Sequence, residues 1–309
     1  MRQLSLLNLD QPSVNGHCEP GEVIHSDALT ALAQIPADTF RCAITSPPYW
    51  GLRDYGIAHQ IGAEQNLEEY LQNLRQVFRE IYHVLKPDGT LWLNIGDSYT
   101  SGGRTWRDPD KKNKGRAMDY RPPTPEGLKP KDLIGVPWKL AFALQEDGWY
   151  LRSDIIWNKP NCQPESVKDR PTRSHEYLFL LTKSEKYFYN FQEIQEPSLA
   201  GPPKNKRTVW NINTEPFPGA HFATFPTKLV EMCVLAGTEP GDSVIDPFFG
   251  SGTVGAVCQK LGRKFVGIEL NEEYLKMAFQ RLGWVSRKLF QRRIALQGQS
   301  EWAGVVKGK

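Results

Sequence analysis

The sequence lacks the cysteine and histidine patterns that build metal clusters or disulfide frameworks. Its five cysteines, Cys18, Cys42, Cys162, Cys233 and Cys258, form no C-x-x-C pair and have no metal-like spacing to the six histidines. The odd count and the apolar surroundings favour reduced thiols, as in a cytosol. We therefore predict a protein without a metal site.

Long apolar runs are also missing. No stretch is long enough to span a bilayer, and no signal peptide precedes the first strand. These absences predict a cytoplasmic protein with no membrane partner. With 309 residues the chain can bury a sizeable core. The length allows two domains, but one α/β domain with a long insertion fits equally well, and we predict a single domain over residues 1–309.

A strong excess of charge of one sign is absent as well, since the formal net charge is only +3. Basic residues are nevertheless grouped into three segments, at Arg104, Arg107, Lys111, Lys112, Lys114, Arg116 and Arg121, at Lys204, Lys206 and Arg207, and at Arg287, Lys288, Arg292 and Arg293. Such groups suit contacts with phosphates, although solvated loops have the same composition.

Ser46-Pro47-Pro48-Tyr49 directly follows an apolar run that reads as a buried strand. Two prolines can neither continue a ladder nor start an ordinary helical turn, so the chain must form a stiff extended loop. The loop displays a hydroxyl, carbonyl acceptors and aromatic rings, a combination that suits a planar group bearing an NH2. A proline-rich surface loop without function is the alternative reading of this segment alone.

A second motif lies near the C-terminus, where the short strand ending at Asp246 is followed by Pro247-Phe248-Phe249-Gly250-Ser251-Gly252-Thr253. Glycines allow a ligand to approach the backbone, and the helix that starts near Thr253 offers free N–H groups. Glu269 ends the next strand, roughly 20 residues after Gly250, which is the spacing of a carboxylate that binds ribose hydroxyls. The glycines also satisfy G-x-G-x-x-G, so a dinucleotide site must be considered.

Position in the chain argues against a dinucleotide. One helix-like stretch and a basic tail follow Glu269, whereas a dinucleotide fold needs several more strand–helix units after its fingerprint. The rest of the sheet must therefore come from upstream, which makes the motif order circularly permuted. An ordinary tight strand–helix turn remains the other reading.

Alternation of strands and helices predicts a mostly parallel sheet of about seven strands with helices on both faces. In such sheets ligands bind at the carboxyl ends of the strands, where Asp27, Ser46, Asp246 and Glu269 all fall. Asn66 is predicted to cap a strong helix. Residues 186–189 are interpreted as a hairpin partner of the strand at 176–181. Residues 98–131 and 195–220 are polar, basic and without periodicity, which predicts two insertions that are too long to be plain connectors.

These motifs, in this order, resemble the beta class of DNA amino-methyltransferases, which act on N4 of cytosine or N6 of adenine. The catalytic motif matches in its Ser-Pro-Pro-Tyr form, and Asp246-Pro247-Phe248-Phe249-Gly250-Ser251-Gly252 matches the cofactor motif. The resemblance spans roughly residues 21–282 and implies a Rossmann-like S-adenosylmethionine-dependent methyltransferase fold. It also implies that a base is flipped from double-stranded DNA into the catalytic loop. On this resemblance, the insertions at residues 98–131 and 195–220 are expected to contact the DNA.

The resemblance assigns roles residue by residue. Ser46, Pro47, Pro48 and Tyr49 would hold and stack the base, and no metal is needed. S-adenosyl-L-methionine would be bound through its adenine by Asp27 and through its ribose by Glu269. Phe248, Gly250, Gly252 and Thr253 would line its methionine part, and Phe225 and Thr227 would close the carboxylate end. Asp246 and Pro247 belong to the cofactor motif and are also expected to bind the cofactor. Asp27 could instead only cap the following helix, and Phe225 could be plain core. His175 and Glu176 are expected to orient loops.

Several functional alternatives remain at this point. Serine in the first motif position favours N4 of cytosine over N6 of adenine. No cysteine follows a proline in a nucleophile-like loop, which disfavours methylation of a cytosine ring carbon. A related protein-glutamine methyltransferase group carries asparagine in place of Ser46. An inactive DNA-binding module of the same fold is a further alternative. A cognate restriction endonuclease, a phage origin and either a monomer or a homodimer are all compatible with the sequence.

Overall fold

The computed structural model describes residues 21–52, 60–100, 122–198, 201–215 and 226–284. Eight strands form one sheet: β1 (Gly21–His25), β2 (Phe40–Thr45), β3 (Leu85–Ile95), β4 (Tyr150–Asn158), β5 (His175–Thr182), β6 (Val209–Asn211), β7 (Ser243–Asp246) and β8 (Lys264–Glu269). Six helices accompany them: α1 (Ala28–Leu32), α2 (Leu67–Val84), α3 (Val136–Glu146), α4 (Thr227–Gly237), α5 (Thr253–Lys260) and α6 (Glu272–Arg281).

The sheet order is β1-β8-β7-β2-β3-β5-β4-β6, and every neighbouring pair is parallel except the two pairs that involve β5. The mostly parallel sheet predicted from the sequence is confirmed. The predicted count of about seven strands is corrected to eight, because Val209–Asn211 pairs with β4 inside a segment that reads as loop. N-terminal strand β1 pairs with the last strand, β8, so the permuted motif order closes within one sheet.

The predicted hairpin at residues 186–189 is wrong. Both edges of β5 are already paired, with β3 on one side and β4 on the other. Residues 186–189 instead run as irregular chain, and the Phe188 N–H donates to the Asp88 carbonyl oxygen. A hairpin partner therefore had no free edge to pair with.

Two apolar cores lie on opposite faces of the sheet. The first packs α1, α2 and α3 against residues such as Phe40, Leu91 and Phe179. The second packs α4, α5 and α6 against residues that include Trp92 and Phe265. None of the helices in the described ranges is long and apolar enough to cross a membrane.

Helix α2 shows why local sequence fixes its start. The Asn66 side chain accepts a hydrogen bond from the Glu69 N–H at 2.8 Å, as the predicted cap requires. Its apolar stripe from Leu67 to Ile81 is buried in the first core. Helix α2 also holds the loop that follows β2, because the Tyr70 hydroxyl donates to the Pro48 carbonyl oxygen at 2.8 Å.

Candidate active site

The carboxyl ends of β1, β8, β7, β2 and β3 lie side by side along one edge of the sheet. Asp27 follows β1, Glu269 ends β8, Asp246 ends β7 and Ser46 follows β2. This confirms the predicted placement of these four residues at strand ends. In parallel sheets that edge is where ligands bind.

A direct hydrogen bond joins the two sequence motifs. Strands β2 and β7 are paired neighbours, with Ala43 opposite Ile245. The Thr45 hydroxyl donates to Asp246 Oδ1 at 2.7 Å, and the Phe248 N–H donates to the same oxygen at 3.1 Å. We call residues 46–49 the diproline loop and residues 247–252 the glycine turn. The two segments therefore begin side by side, although they lie about 200 residues apart in the sequence.

Tyr49 is held by two hydroxyl contacts at the end of the diproline loop. Its hydroxyl donates to Glu176 Oε2 at 2.9 Å, and the Ser46 hydroxyl donates to Tyr49 Oη at 3.5 Å. Burial and the neighbouring Glu176 carboxylate raise the pKa of Tyr49 well above its ordinary value. Tyr49 is therefore a neutral donor at physiological pH.

The two proline carbonyls of the loop are not equivalent. The Pro48 carbonyl already accepts the Tyr70 hydroxyl. Within the described part of the chain, no donor reaches the Pro47 carbonyl. Pro47 thus keeps its carbonyl available for a ligand amine beside the Ser46 hydroxyl.

Glu176 is a site residue whose contact with Tyr49 was missed from the sequence. Glu176 lies on β5. Its Oε2 accepts the Tyr49 hydroxyl, and its Oε1 forms a close ion pair with Lys159 Nζ. The Lys159 ammonium also lies 4.2 Å from the centre of the Trp157 ring. No signal in the sequence pointed to the contact between Tyr49 and Glu176, because the two residues are 127 positions apart and meet only through strand register.

The glycine turn after β7 is stabilised by Glu269. Glu269 Oε2 accepts the Gly250 N–H and Oε1 accepts the Asn271 N–H, both at 2.7 Å. Gly250 and Gly252 have φ angles of +53° and +81°, a region that glycine enters without strain. The Glu269 carboxylate, which the sequence predicted at the end of β8, therefore also stabilises the glycine turn by accepting a backbone hydrogen bond from it.

Burial shifts the pKa of both acids at this edge. The pKa of Asp246 is raised to about 7, mainly by burial, and the hydrogen bonds from Thr45 and Phe248 oppose the shift. Burial also raises the pKa of Glu269, against the hydrogen bonds from Asn271 and Gly250. Asp246 Oδ2 is buried and has no hydrogen-bond partner within the described residues.

The remaining predicted cofactor residues have mixed surroundings. Asp27 caps α1, where Oδ1 accepts the Thr30 N–H at 2.9 Å, as its alternative reading required. Pro247 is buried and Phe248 is partly buried against the first core. Thr253 is the first residue of α5, and its hydroxyl oxygen accepts a hydrogen bond from the Arg281 guanidinium. The Thr227 N–H at the start of α4 donates to the Glu215 carboxylate. Phe225 lies outside the described residues.

Comparison with known proteins decides the family. The family model described as DNA methylase, of the N6 and N4 type, matches residues 40–280. The chain belongs to the N6/N4 DNA methylase family. It is an S-adenosylmethionine-dependent DNA methyltransferase with a mostly parallel α/β fold.

Close relatives cover nearly the whole of this methyltransferase. It is 63% identical over 283 residues to the type II methyltransferase M.SmaI of Serratia marcescens, covering 90% of this chain and 96% of the relative. It is 65% identical over 260 residues to the type II methyltransferase M.Cfr9I of Citrobacter freundii, covering 84% and 87%.

Solved structures show the same fold. The PvuII DNA methyltransferase (cytosine-N4-specific) superimposes with a TM-score of 0.65 at 20% identity, over 90% of this chain and 93% of that one. A putative DNA modification methylase from Thermus thermophilus, in complex with S-adenosyl-L-methionine, gives a TM-score of 0.58 at 24% identity, over 85% and 93%.

The methyltransferase's own residues fit this cofactor. The glycine turn presents its backbone at the start of α5, and Glu269 and Asp246 place acidic groups on either side of it. Asp246 Oδ2 has no partner among the described residues and suits a cationic group, because a buried acceptor without a donor is costly. S-adenosyl-L-methionine carries both an ammonium and a sulfonium charge.

Proposed function

We propose that this methyltransferase modifies N4 of a cytosine that is flipped out of double-stranded DNA into the diproline loop. The observation that carries the proposal is the Thr45–Asp246 hydrogen bond, which ties the loop to the glycine turn at the carboxyl edge. Ser46 in the first motif position favours cytosine over adenine. The whole chain would form a single catalytic domain.

The diproline loop would hold the base by stacking and hydrogen bonding. Extruding a base costs a few kcal/mol, and stacking on the Tyr49 ring would return about 1–3 kcal/mol of that cost. The Ser46 hydroxyl and the Pro47 carbonyl, which no donor among the described residues reaches, would accept hydrogen bonds from the two amine N–H groups. Pro48 would serve through the backbone bond to Tyr70, which fixes the bend of the loop.

The glycine turn and its neighbours would hold the cofactor. Glu269 keeps unused acceptor capacity beyond its two backbone bonds, which suits the ribose hydroxyls. Asp27 would face the adenine. Phe225, Thr227, Asp246, Pro247, Phe248, Gly250, Gly252 and Thr253 would surround the methionine part. S-adenosyl-L-methionine supplies a methyl carbon that is already activated by the positive sulfur, so positioning accounts for most of the rate.

We further infer that the methyltransferase acts in a type II restriction-modification system and shares its target sequence with the Serratia relative. Identity of 63% over 96% of that relative supports this inference. A cognate endonuclease would then be a functional partner, and the cytoplasm of a bacterium or of a phage-infected host would be the location. Residues 98–131 and 195–220 would contact DNA, and the protein would act as a monomer or homodimer.

Labelled S-adenosyl-L-methionine and mixed-sequence duplex DNA test the activity, and digestion to nucleosides identifies the base. We expect label in N4-methylcytosine. Label in N6-methyladenine would overturn the choice of base, and cofactor binding without labelled DNA would favour an inactive module. DNA from cells that express the methyltransferase should resist the endonuclease of the Serratia system, and full cleavage would overturn the shared target.

Substitutions at the catalytic loop test the residue roles. Ser46→Ala and Tyr49→Ala should cut turnover by about 100-fold or more while cofactor affinity stays within about threefold, because neither side chain is assigned to the cofactor. Single-turnover rates and calorimetric titration measure the two quantities separately. Loss of cofactor binding in either variant would contradict the assignment.

A further inference from the structure

A chain of side chains leads away from the proposed base site and ends on a carboxylate. The Ser46 hydroxyl donates to Tyr49 Oη at 3.5 Å, and the Tyr49 hydroxyl donates to Glu176 Oε2 at 2.9 Å. The first contact is long, as catalytic hydrogen bonds often are before a substrate is bound. Each hydroxyl can accept one proton while it passes on its own.

Glu176 is fixed in the orientation that this chain requires. Lys159 Nζ pairs with Oε1, which leaves Oε2 to face Tyr49. Lys159 is itself held over the ring of Trp157, whose indole N–H donates to the Ile212 carbonyl at 2.8 Å. The side chain of Glu176 is 17% exposed, so water competes little for the carboxylate.

Room for the Tyr49–Glu176 contact depends on Gly96, which follows β3. A Cβ atom at this position would lie 2.7 Å from Tyr49 Cε2 and 3.2 Å from Glu176 Cγ. Only a residue without a side chain therefore leaves both groups in place. Strands β2, β3 and β5 each supply one part of the arrangement.

We propose that Glu176 receives, through Tyr49 and Ser46, the proton that the base amine loses in the reaction. This proposal rests on the proposed function, because it takes Ser46 as the acceptor of the amine. Once the amine nitrogen has bonded to the methyl carbon, it is positively charged and carries a surplus proton. That proton moves to Ser46 Oγ, the Ser46 proton moves to Tyr49 Oη, and the Tyr49 proton moves to Glu176 Oε2.

Protons and charges balance in this transfer. One N–H bond breaks and one carboxyl O–H bond forms, while both hydroxyls end with the proton count they began with. Glu176 becomes neutral, the base becomes neutral, and the carboxylic acid returns its proton to solvent. Before the transfer, the Glu176 carboxylate holds the Tyr49 hydroxyl, and through it Ser46, in the orientation that accepts the proton, so Glu176 acts as a positioning residue through Tyr49.

Glu176→Gln tests the proposal, with Glu231→Gln as the matched control. Glu231 on α4 is also 17% exposed and also accepts two donors, Lys228 and Lys260, and Lys260 ends a helix that leads away from the carboxyl edge. We expect Glu176→Gln to slow single-turnover methylation by about 10- to 100-fold. Affinities for DNA and cofactor should stay within about threefold, and the control should behave as wild type.

A double-mutant cycle with Tyr49→Phe separates the relay from a structural role. Glu176 is proposed to act only through the Tyr49 hydroxyl, so Glu176→Gln should change the rate less than about twofold in the Tyr49→Phe background. A fluorescent cytosine analogue at the target position should report undiminished base extrusion in both single variants. The same loss in both backgrounds, or lost extrusion, would overturn the relay.

The proposed catalytic loop and the proposed proton relay are contradicted by different results. If Ser46→Ala and Tyr49→Phe both leave the single-turnover rate unchanged, the proposed catalytic loop is wrong. If both slow the rate but Glu176→Gln does not, only the relay is wrong. Unfolding curves of the variants show whether any loss comes from misfolding.

Discussion

Tyr49 is the residue on which most of the proposed chemistry converges. Its ring would carry the base, its hydroxyl joins Ser46 to Glu176, and its edge packs on the backbone of Gly96. The sequence predicted its place in the loop, because two prolines leave the chain few conformations. Its contact with Glu176 was not predictable, since the two residues are 127 positions apart and meet only through the register of β3 and β5.

Gly96→Ala should reduce methylation without weakening the cofactor site. The new methyl group would press on Tyr49 and Glu176, so we expect a loss of about 10-fold or more in single-turnover rate. Gly237→Ala is a control with a similar close contact, 2.9 Å from Cys42 Sγ within the second core. It should lower the melting temperature and leave the rate of the folded protein unchanged. Equal rates in Gly96→Ala and wild type would contradict the crowding argument.

Among the elements, the junction of β2 and β7 decides whether the two motifs form one site. Each motif could be recognised locally, from prolines after one apolar run and glycines after another. Their meeting followed from a rule of parallel sheets and not from any residue pair. Strand β6 could not be predicted from the sequence, because three residues beside a long polar segment show no periodicity.

Asp246 makes this junction sensitive to pH. Its pKa in the folded protein is about 7, above the value near 3.9 of an unfolded aspartate, so the folded state binds the proton more tightly. The contribution of Asp246 to stability is therefore fully present below about pH 4 and is lost as the pH rises towards about 7. An asparagine at this position does not titrate.

Wild type should accordingly lose stability relative to Asp246→Asn between pH 5 and pH 8, by on the order of 2 kcal/mol. Denaturant unfolding without cofactor, at both pH values, measures the two free energies of unfolding. The other titrating groups are common to both proteins and cancel in the difference. Parallel pH dependence in the two proteins would show that Asp246 is ionised throughout.

At the scale of the whole molecule, the circular permutation places both ends of the described chain at one side of the sheet. Strand β1 pairs with β8, so the N-terminal strand completes the half of the sheet that carries the glycine turn. The order of motifs in the sequence predicted the permutation, whereas the pairing of β1 with β8 is seen only in the structure. What it could not supply is the specificity region, since loops without periodicity carry no signal for their path.

One predicted DNA-contacting insertion is anchored beside the catalytic loop at both of its described ends. The start of the insertion pairs with the chain just after its end. Tyr99 forms an antiparallel bridge with Leu133, and the Ile134 N–H donates to the Ser98 carbonyl oxygen. At the other end, Pro122 packs close to Gly51, two residues after Tyr49. In the sequence, the basic residues from Arg104 to Arg121 lie between these two anchors.

Replacing Lys111, Lys112 and Lys114 together with glutamine should therefore weaken DNA binding and leave the cofactor site intact. Each lost phosphate contact lowers the slope of log K against log salt concentration by about 0.9, so the slope should fall by up to roughly 3. The matched control replaces Lys228, Lys260 and Lys276, which lie on helices α4, α5 and α6, and it should keep the wild-type slope. Fluorescence anisotropy across a salt series measures both variants, with calorimetry for the cofactor. A slope that is unchanged by the first substitution would remove residues 98–131 from the DNA interface and leave the second insertion, 195–220, to carry the phosphate contacts.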